Sequence, residues 1–362
     1  MHTFLRSLGL LVFFFTTYIS YGQTNKEAAL SKGLEAVKLL DEGKIDESIL
    51  LLQQAQQLDP ERVDYPYELA YAYYAKADYS KAIALLEQYL GHKDVTDRFF
   101  QLLGNSYDEL KNTEKALAAY TAGLQKFPAS GSIYLEIGNI YLNKKEYGKA
   151  LGYYEKGIEV EPKFPSNYYH AARLYCSSSE EVWGMIYGEI FMNLERNSKR
   201  TSEISKLLYD TYKHEIKFTS DTSFSVSFSS NSIFIPGNLQ DPSAMKLPFG
   251  VGVYEPTLMF SMFFITSISI HSLDTIRSAF IDNYFKNGHD KQYPNVLFSY
   301  QKRLKDAGHS EAYNHWILMK GDEDGFVKWK AAHAEKWAGF VTWFTANPLQ
   351  LDDTHKFYSR QY

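Results

Sequence analysis

DRFFQLLGNSYDELKNTEKALAAYTAGLQKFPAS, residues 97–130, runs directly into GSIYLEIGNIYLNKKEYGKALGYYEKGIEVEPKF, residues 131–164, and the two align without a gap. Gly104 matches Gly138, Tyr107 matches Tyr141, Ala116 matches Ala150, Tyr120 matches Tyr154, Gly123 matches Gly157 and Pro128 matches Pro162, each pair 34 residues apart. A fixed period of that size marks a unit of two helices that cannot bury its own apolar face and must stack on its neighbours. Glycine inside a helix costs roughly 1 kcal/mol against alanine, so Gly104 and Gly138 predict a close contact that needs the missing side chain. Tyr107 and Tyr141, one turn beyond, are expected to fill the wedge between paired helices. Pro128 and Pro162 close each unit because proline cannot continue a helix.

These positions resemble the tetratricopeptide repeat family, whose pattern is an aromatic, Leu-Gly, Tyr, Ala, an aromatic and Pro. Phe100, Leu103, Gly104, Tyr107, Ala116, Tyr120 and Pro128 carry it in one unit, and Tyr134, Ile137, Gly138, Tyr141, Ala150, Tyr154 and Pro162 in the next. Upstream, Leu69, Ala70, Tyr73 and Ala82 fall one period earlier, and Pro60 lies two periods before Pro128. Downstream, Tyr168, Ala171, Ala172 and Tyr175 begin a fifth unit, whose second helix, around 182–194, reads as generally amphipathic. The resemblance implies a mainly α fold, with a solenoid of about five units over 29–199.

Arg6 precedes an apolar run, Leu8 to Ile19, and Ser20-Tyr21-Gly22 supplies small residues where a signal peptidase reads. Residues 1–22 therefore read as an export signal cleaved before Gln23, and the run is shorter than the ~20 residues that span a bilayer. The expected location is periplasmic or secreted. With Arg6 removed, 37 Lys and Arg stand against 43 Asp and Glu, which argues against nucleic acid and anionic membrane as partners. Cys176 is the single cysteine, so no internal disulfide can form.

In this family the first helix of each unit lines a concave groove that holds a peptide or a partner helix. Carried over position by position, the groove residues are Tyr67, Tyr71 and Tyr74 in the second unit and Arg98, Gln101, Asn105 and Asp108 in the third. Asn139 and Asn143 follow in the fourth, and Tyr169 and Arg173 in the fifth. A carboxamide at Asn105 and Asn139 can both donate to and accept from an extended backbone. The two-carboxylate clamp known in the family is not expected, because Gln101 and Leu135 stand where it needs a lysine and a buried carboxylate would lack its counter-charge. Tyr67, Tyr71 and Tyr74 would instead suit a sugar if they formed a row of exposed, coplanar rings.

After Lys199 the register is lost. Ile204, Leu207, Leu208 and Thr211 place a capping helix over 200–217, and Phe224, Val226 and Phe228 alternate with serines, with Ile233 and Ile235 following, in an extended joint over 218–255. Residues 256–362 read as a helical domain of no recognised family. Within it, the apolar stretch Leu258 to Ile270 predicts a buried core helix; Leu273, Ile276, Phe280 and Tyr284 mark a second helix, and Val296, Leu297, Tyr300 and Leu304 a third that Gly308 ends. A last hairpin turns at Gly321, its second helix carrying Phe326, Trp329, Trp337, Phe340 and Phe344 on one stripe.

Chemistry-bearing motifs are weak. Asp322-Glu323-Asp324-Gly325 lacks the spaced ligands of a calcium loop and reads as capping acids of a helix turn. Gly250-Val251-Gly252 lacks the third glycine of a nucleotide loop. His289, His309, His315, His333 and His355 show no i, i+4 zinc spacing, and no Gly-x-Ser-x-Gly is present. The expectation is a non-enzymatic scaffold or adaptor for a protein or peptide, with no metal or cofactor. The alternative is a hydrolytic or glycan-acting C-terminal domain, which requires His, Asp and Glu converging in a pocket within 240–350.

Overall fold

The computed structural model describes residues 24–220, 223–230 and 247–362; the expected export signal, Ile233 and Ile235 lie outside them. The described fold is helical apart from one two-stranded hairpin, and the chain divides into two compact units, 1–128 and 129–362.

The first unit contains α1 (24–41), α2 (Ile45–Leu58), α3 (Asp64–Ala75), α4 (Tyr79–Tyr89), α5 (Asp97–Glu109) and α6 (Thr113–Lys126). Its paired helices join through a recurring turn. Gly43, Ala77 and Lys111 occupy the left-handed region at φ 77°, 62° and 61°, again one period apart. At the third, Lys111 N–H donates to the Asp108 carbonyl at 2.8 Å and Asn112 N–H to the Tyr107 carbonyl at 2.9 Å, the paired bonds of a Schellman cap. Asn112 then starts α6 by accepting from the Lys115 N–H at 3.1 Å, so one turn stops a helix and nucleates the next.

The second unit opens with α7 (Gly131–Asn143) and α8 (Tyr147–Val160), joined by the same turn at Lys145, φ 60°. A third pair follows, α9 (Pro165–Tyr175) and α10 (Glu181–Leu194), then α11 (Lys199–Glu215), started by a reciprocal Ser198–Thr201 cap. Here α10 departs from its expected amphipathicity: Val182 through Asn193 are all buried. Glycines bring its neighbours close, since a Cβ at Gly184 would strike the backbone N and Sγ of Cys176, and one at Gly188 would press on Ile204 and Leu208 of α11. Cys176 is thus a packing residue, and burial pushes its thiol up to about 12.

A hairpin of β1 (Ile216–Ser220) and β2 (Ser223–Val226) pairs Ile216 with Val226 and Phe218 with Phe224. A π-helical turn, Gly250–Tyr254, leads into α12 (Glu255–Phe260), and then come α13 (Ile270–Lys286), α14 (His289–Gln292), α15 (Val296–Asp306), α16 (Ser310–Leu318), α17 (Glu323–Ala332) and α18 (Ala334–Ala346). The expected core helix over Leu258–Ile270 is not formed. α12 stops at Phe260, and Met259, Phe260, Phe263 and Phe264 are exposed, with Phe264 at φ 67°. The run is apolar on every side, so periodicity could not say which side chains the core would take. The last stripe is likewise two helices, broken at His333 (φ −125°, ψ 41°), with Trp329, Phe340 and Phe344 buried. Asp322 caps α17 by accepting from Gly325 N–H at 2.9 Å, in the expected role.

At the centre of this layer Arg277 is buried and donates to Asn314 Oδ1 (2.8 Å), the Tyr212 hydroxyl (3.2 Å) and Glu189 Oε1 (2.7 Å). Gln301 also donates to Glu189. One ion pair therefore ties α10 to α13, with α11, α15 and α16 attached through neutral partners.

Candidate functional site

The repeat glycines explain how the first helices are held. A Cβ at Gly104 would overlap the ring of Tyr120, and one at Gly138 the ring of Tyr154. The ring in the wedge is thus Tyr120 or Tyr154 from the second helix, not Tyr107 or Tyr141 as expected. Tyr107 stands half-buried and donates to Glu87 at 2.6 Å, a bond to the neutral phenol that, with burial, pushes its hydroxyl up to about 12; Tyr141 stacks on Tyr153 with centroids 5.4 Å apart. Lodged against the glycine, the second-helix phenol reaches across the first helix. Tyr120 donates to Asn105 Oδ1 at 2.5 Å and Tyr154 to Asn139 Oδ1 at 2.9 Å. Both expected groove carboxamides are therefore bonded inside their own repeat through the oxygen, and Asn139 also donates to Glu136 at 3.1 Å.

In the first unit, Tyr67 is 9 % exposed, packed 5.2 Å from Phe99, with the Arg98 guanidinium 4.1 Å over its ring. Arg98 is exposed and lies 3.6 Å from Glu68, whose carboxyl burial pushes up against the pull of that arginine. Tyr71 is exposed, while Tyr74 is half-buried and edge-on to Tyr79. The coplanar row that would suit a sugar is not formed, because the helical twist turns Tyr67 inward and Tyr74 toward α4. Gln101 and Asp108 are half-buried on α5.

In the second unit, Tyr169 is buried and donates to Glu203 of α11 at 2.6 Å. Two guanidiniums stand over its ring, Arg173 at 5.3 Å and Arg200 at 5.1 Å. Arg200 also donates to Ser166 at 3.0 Å and pairs with Glu195. Beside them His170 stacks on Tyr154, and burial, with Arg173 and Arg200 adding to it, pulls its imidazole down to about 4. Asn143 is exposed at the end of α7. Arg200 and His170 escaped sequence reasoning: Arg200 lies past the end of the register, and His170 carries no spacing signal.

Residues 39–105 and 102–167 each match the tetratricopeptide repeat family. The chain carries tetratricopeptide repeats. A curated relative, the TPR repeat-containing protein YpiA of Bacillus subtilis (strain 168), is 31% identical over 104 residues, 29% of this chain and 24% of its own. The chain thus spans about a quarter of the length of that relative. Among solved structures, pilF of Pseudomonas aeruginosa is similar over 53% of this chain and 86% of its own (20% identity, TM-score 0.44). A thermophilic TPR protein of Thermus thermophilus, TTC0263, is similar over 50% and 99% (16%, 0.43), and YrrB, described as a TPR protein with an unusual peptide-binding site, over 51% and 94% (18%, 0.33). In general terms the tetratricopeptide region is a protein–protein interaction scaffold.

The residues that could do chemistry lie elsewhere in the second unit. The cavity beside Arg277, about 20 Å³, is lined by one carboxylate, Glu189, and by no histidine. Asp274 accepts from Asn314 at 2.8 Å, and burial pushes its carboxyl up, while burial pulls the imidazole of His315 down. Neither side chain lines that cavity. Among the described residues, no three of His, Cys, Asp and Glu are grouped to hold a metal ion, and no helix is long and apolar enough to cross a membrane.

Proposed function

We propose that the first-helix surfaces of the tetratricopeptide repeats bind a polypeptide and that the protein works as an adaptor. The observation that carries this reading is the recurrence of a guanidinium over a tyrosine ring on that surface, Arg98 on Tyr67 in one unit and Arg173 with Arg200 on Tyr169 in the other. A stacked guanidinium is oriented without losing its donors, so it can meet carbonyls or a carboxylate of an extended chain at little entropic cost. Arg98, Tyr71 and Arg173 are the exposed members and the contact residues of this reading; Asn105 and Asn139 contribute through the amide NH₂, their oxygens being bonded to Tyr120 and Tyr154. α11 extends the surface of the second unit by supplying Arg200 and Glu203.

The test is crosslinking and capture with the full chain against an Arg98→Ala, Tyr71→Ala, Arg173→Ala variant, all three at exposed positions. A defined protein captured by wild type and lost with the variant supports the groove; equal capture by both removes it. We propose also that the chain is exported, since Arg6, the apolar run and Gly22 make a signal. N-terminal sequencing of the protein from its native cell should begin at Gln23, and a retained Met1 in a cytosolic fraction would refute export.

A further inference from the structure

The second unit has a surface pocket of about 500 Å³ whose walls are Tyr134 and Tyr141 of α7, Tyr153, Lys149 and Lys156 of α8, and Arg360 of the C-terminal segment. It is not the groove. At 100° per residue Tyr134 and Tyr141 lie about 20° apart on α7, whereas Asn139 and Asn143 lie roughly 140° and 180° from Tyr134, on the opposite side of the helix. Arg360 arrives because the last residues fold back: Lys356 donates to the Glu159 carbonyl at 2.8 Å and Ser359 N–H to the Tyr187 hydroxyl at 2.7 Å.

Two independent observations mark the pocket. The first is its lining of three cations and three phenols with no carboxylate, on a chain whose net charge is −5. Each cation has a carboxylate outside the wall: Lys149 with Glu146 at 2.5 Å, Lys156 with Glu159 at 3.0 Å and Arg360 with Glu155 at 3.5 Å. The first two are i, i+3 pairs, the Lys156–Glu159 pair half-buried, and such pairs at a solvent-accessible surface exchange partners at small cost. Glu155 also accepts from the hydroxyls of Tyr175 (3.1 Å) and Tyr187 (2.7 Å), so it does not depend on Arg360 alone. The second is Gly152. It also lines the pocket, and unlike Gly104 and Gly138 it has no packing reason, for a Cβ there would meet nothing within 4 Å. A mid-helix glycine facing open space keeps the α8 backbone accessible at the cost of helix stability.

We propose that this pocket binds an acidic peptide segment of a partner protein, its carboxylates meeting Lys149, Lys156 and Arg360 and its apolar or aromatic side chains lying on Tyr134, Tyr141 and Tyr153. A basic segment is repelled by the same lining, and the aromatic wall gives the site contact area that lysines on a bare helix would lack. The site is independent of the concave groove, so either can fail alone.

The probe is a fluorescent octapeptide of alternating glutamate and tyrosine, titrated by anisotropy against the full chain, with alternating lysine–tyrosine peptide and oligogalacturonate as the other arms. The acidic peptide should bind and the basic one should not. Gly152→Trp, which fills the pocket without touching packed atoms, should weaken binding by at least about tenfold, and Lys149→Gln with Lys156→Gln by about tenfold, as loss of two charge-assisted contacts implies. Lys286→Gln, at an exposed lysine of α13 that lines neither surface, should leave it unchanged. The double lysine variant keeps the test decisive if Gly152→Trp misfolds. No binding by wild type, binding indifferent to these pocket variants, or binding of oligogalacturonate in place of the peptide would each overturn the proposal.

Discussion

Gly138 and Tyr154 show how one atom fixes a repeat. The ring occupies the space where a Cβ would be, and its hydroxyl then reaches Asn139. Gly138→Ala gains roughly 1 kcal/mol of helix propensity but must displace a buried ring, an overpacking cost of about 1–3 kcal/mol, so the expected net is a loss on the order of 1 kcal/mol. Urea denaturation of the full chain reads it, and Tyr154→Leu in the same background should remove the penalty of the added methyl. A stabilised Gly138→Ala would mean that the ring yields freely. His170 gives a pH prediction. Its imidazole is held at about 4 by burial and by the two arginines, against 6.5 when free. Below 6.5 the unfolded chain takes up a proton that the folded one refuses, so stability falls as pH drops from 6.5 toward 4, by on the order of 2 kcal/mol between pH 7 and 5 for this group. His170→Gln should flatten that part of the stability–pH curve; an unchanged slope would place the titration elsewhere.

At the scale of elements, the turn between paired helices was hidden in a sequence whose helices were plain. Gly43, Ala77, Lys111 and Lys145 hold the same left-handed position, yet only the first is glycine. Spacing of Gly104, Tyr107, Ala116 and Pro128 placed the helices, because apolar and small residues must recur wherever one helix pair meets the next. The turn leaves no such residue signature, since its two backbone bonds are made whatever the side chain. Lys111→Gly should relieve the left-handed strain of a residue with a Cβ and raise stability by up to about 1 kcal/mol, after the extra entropy glycine brings to the unfolded chain. Equal or lower stability in thermal melts would show that the lysine side chain returns more than its backbone loses. Elements without a period read less well. The expected helix over Leu258–Ile270 ends at Phe260, and the expected single helix through Phe326 and Phe344 breaks at His333. In the first, apolar side chains on every face gave periodicity no boundary to read; in the second, the aromatic stripe runs on through both helices and no glycine or proline marks the break at His333.

At the scale of the molecule, the second unit is organised about a charge pair that no local pattern announces. Glu189 and Arg277 are 88 residues apart and both buried. Removing one partner strands the other in a medium that solvates it poorly, so Arg277→Met should cost about 3–5 kcal/mol, whereas Arg277→Met with Glu189→Leu should recover much of it. Chemical denaturation of the two variants decides, and an equal loss in both would assign the cost to packing instead of charge. The sequence by itself determined the period, the helix pairs between Tyr67 and Tyr175, the glycine wedges and the acidic surface, because each depends on residues within one or two turns of a helix or one repeat of each other. Only the tertiary structure decided that Tyr120 and Tyr154 fill the wedges and hold Asn105 and Asn139, that Arg200 joins Arg173 over Tyr169, and that Arg360 closes a pocket on α8. Those contacts join residues with no shared period, and their partners are selected by which surfaces are left to bury after the helices have formed.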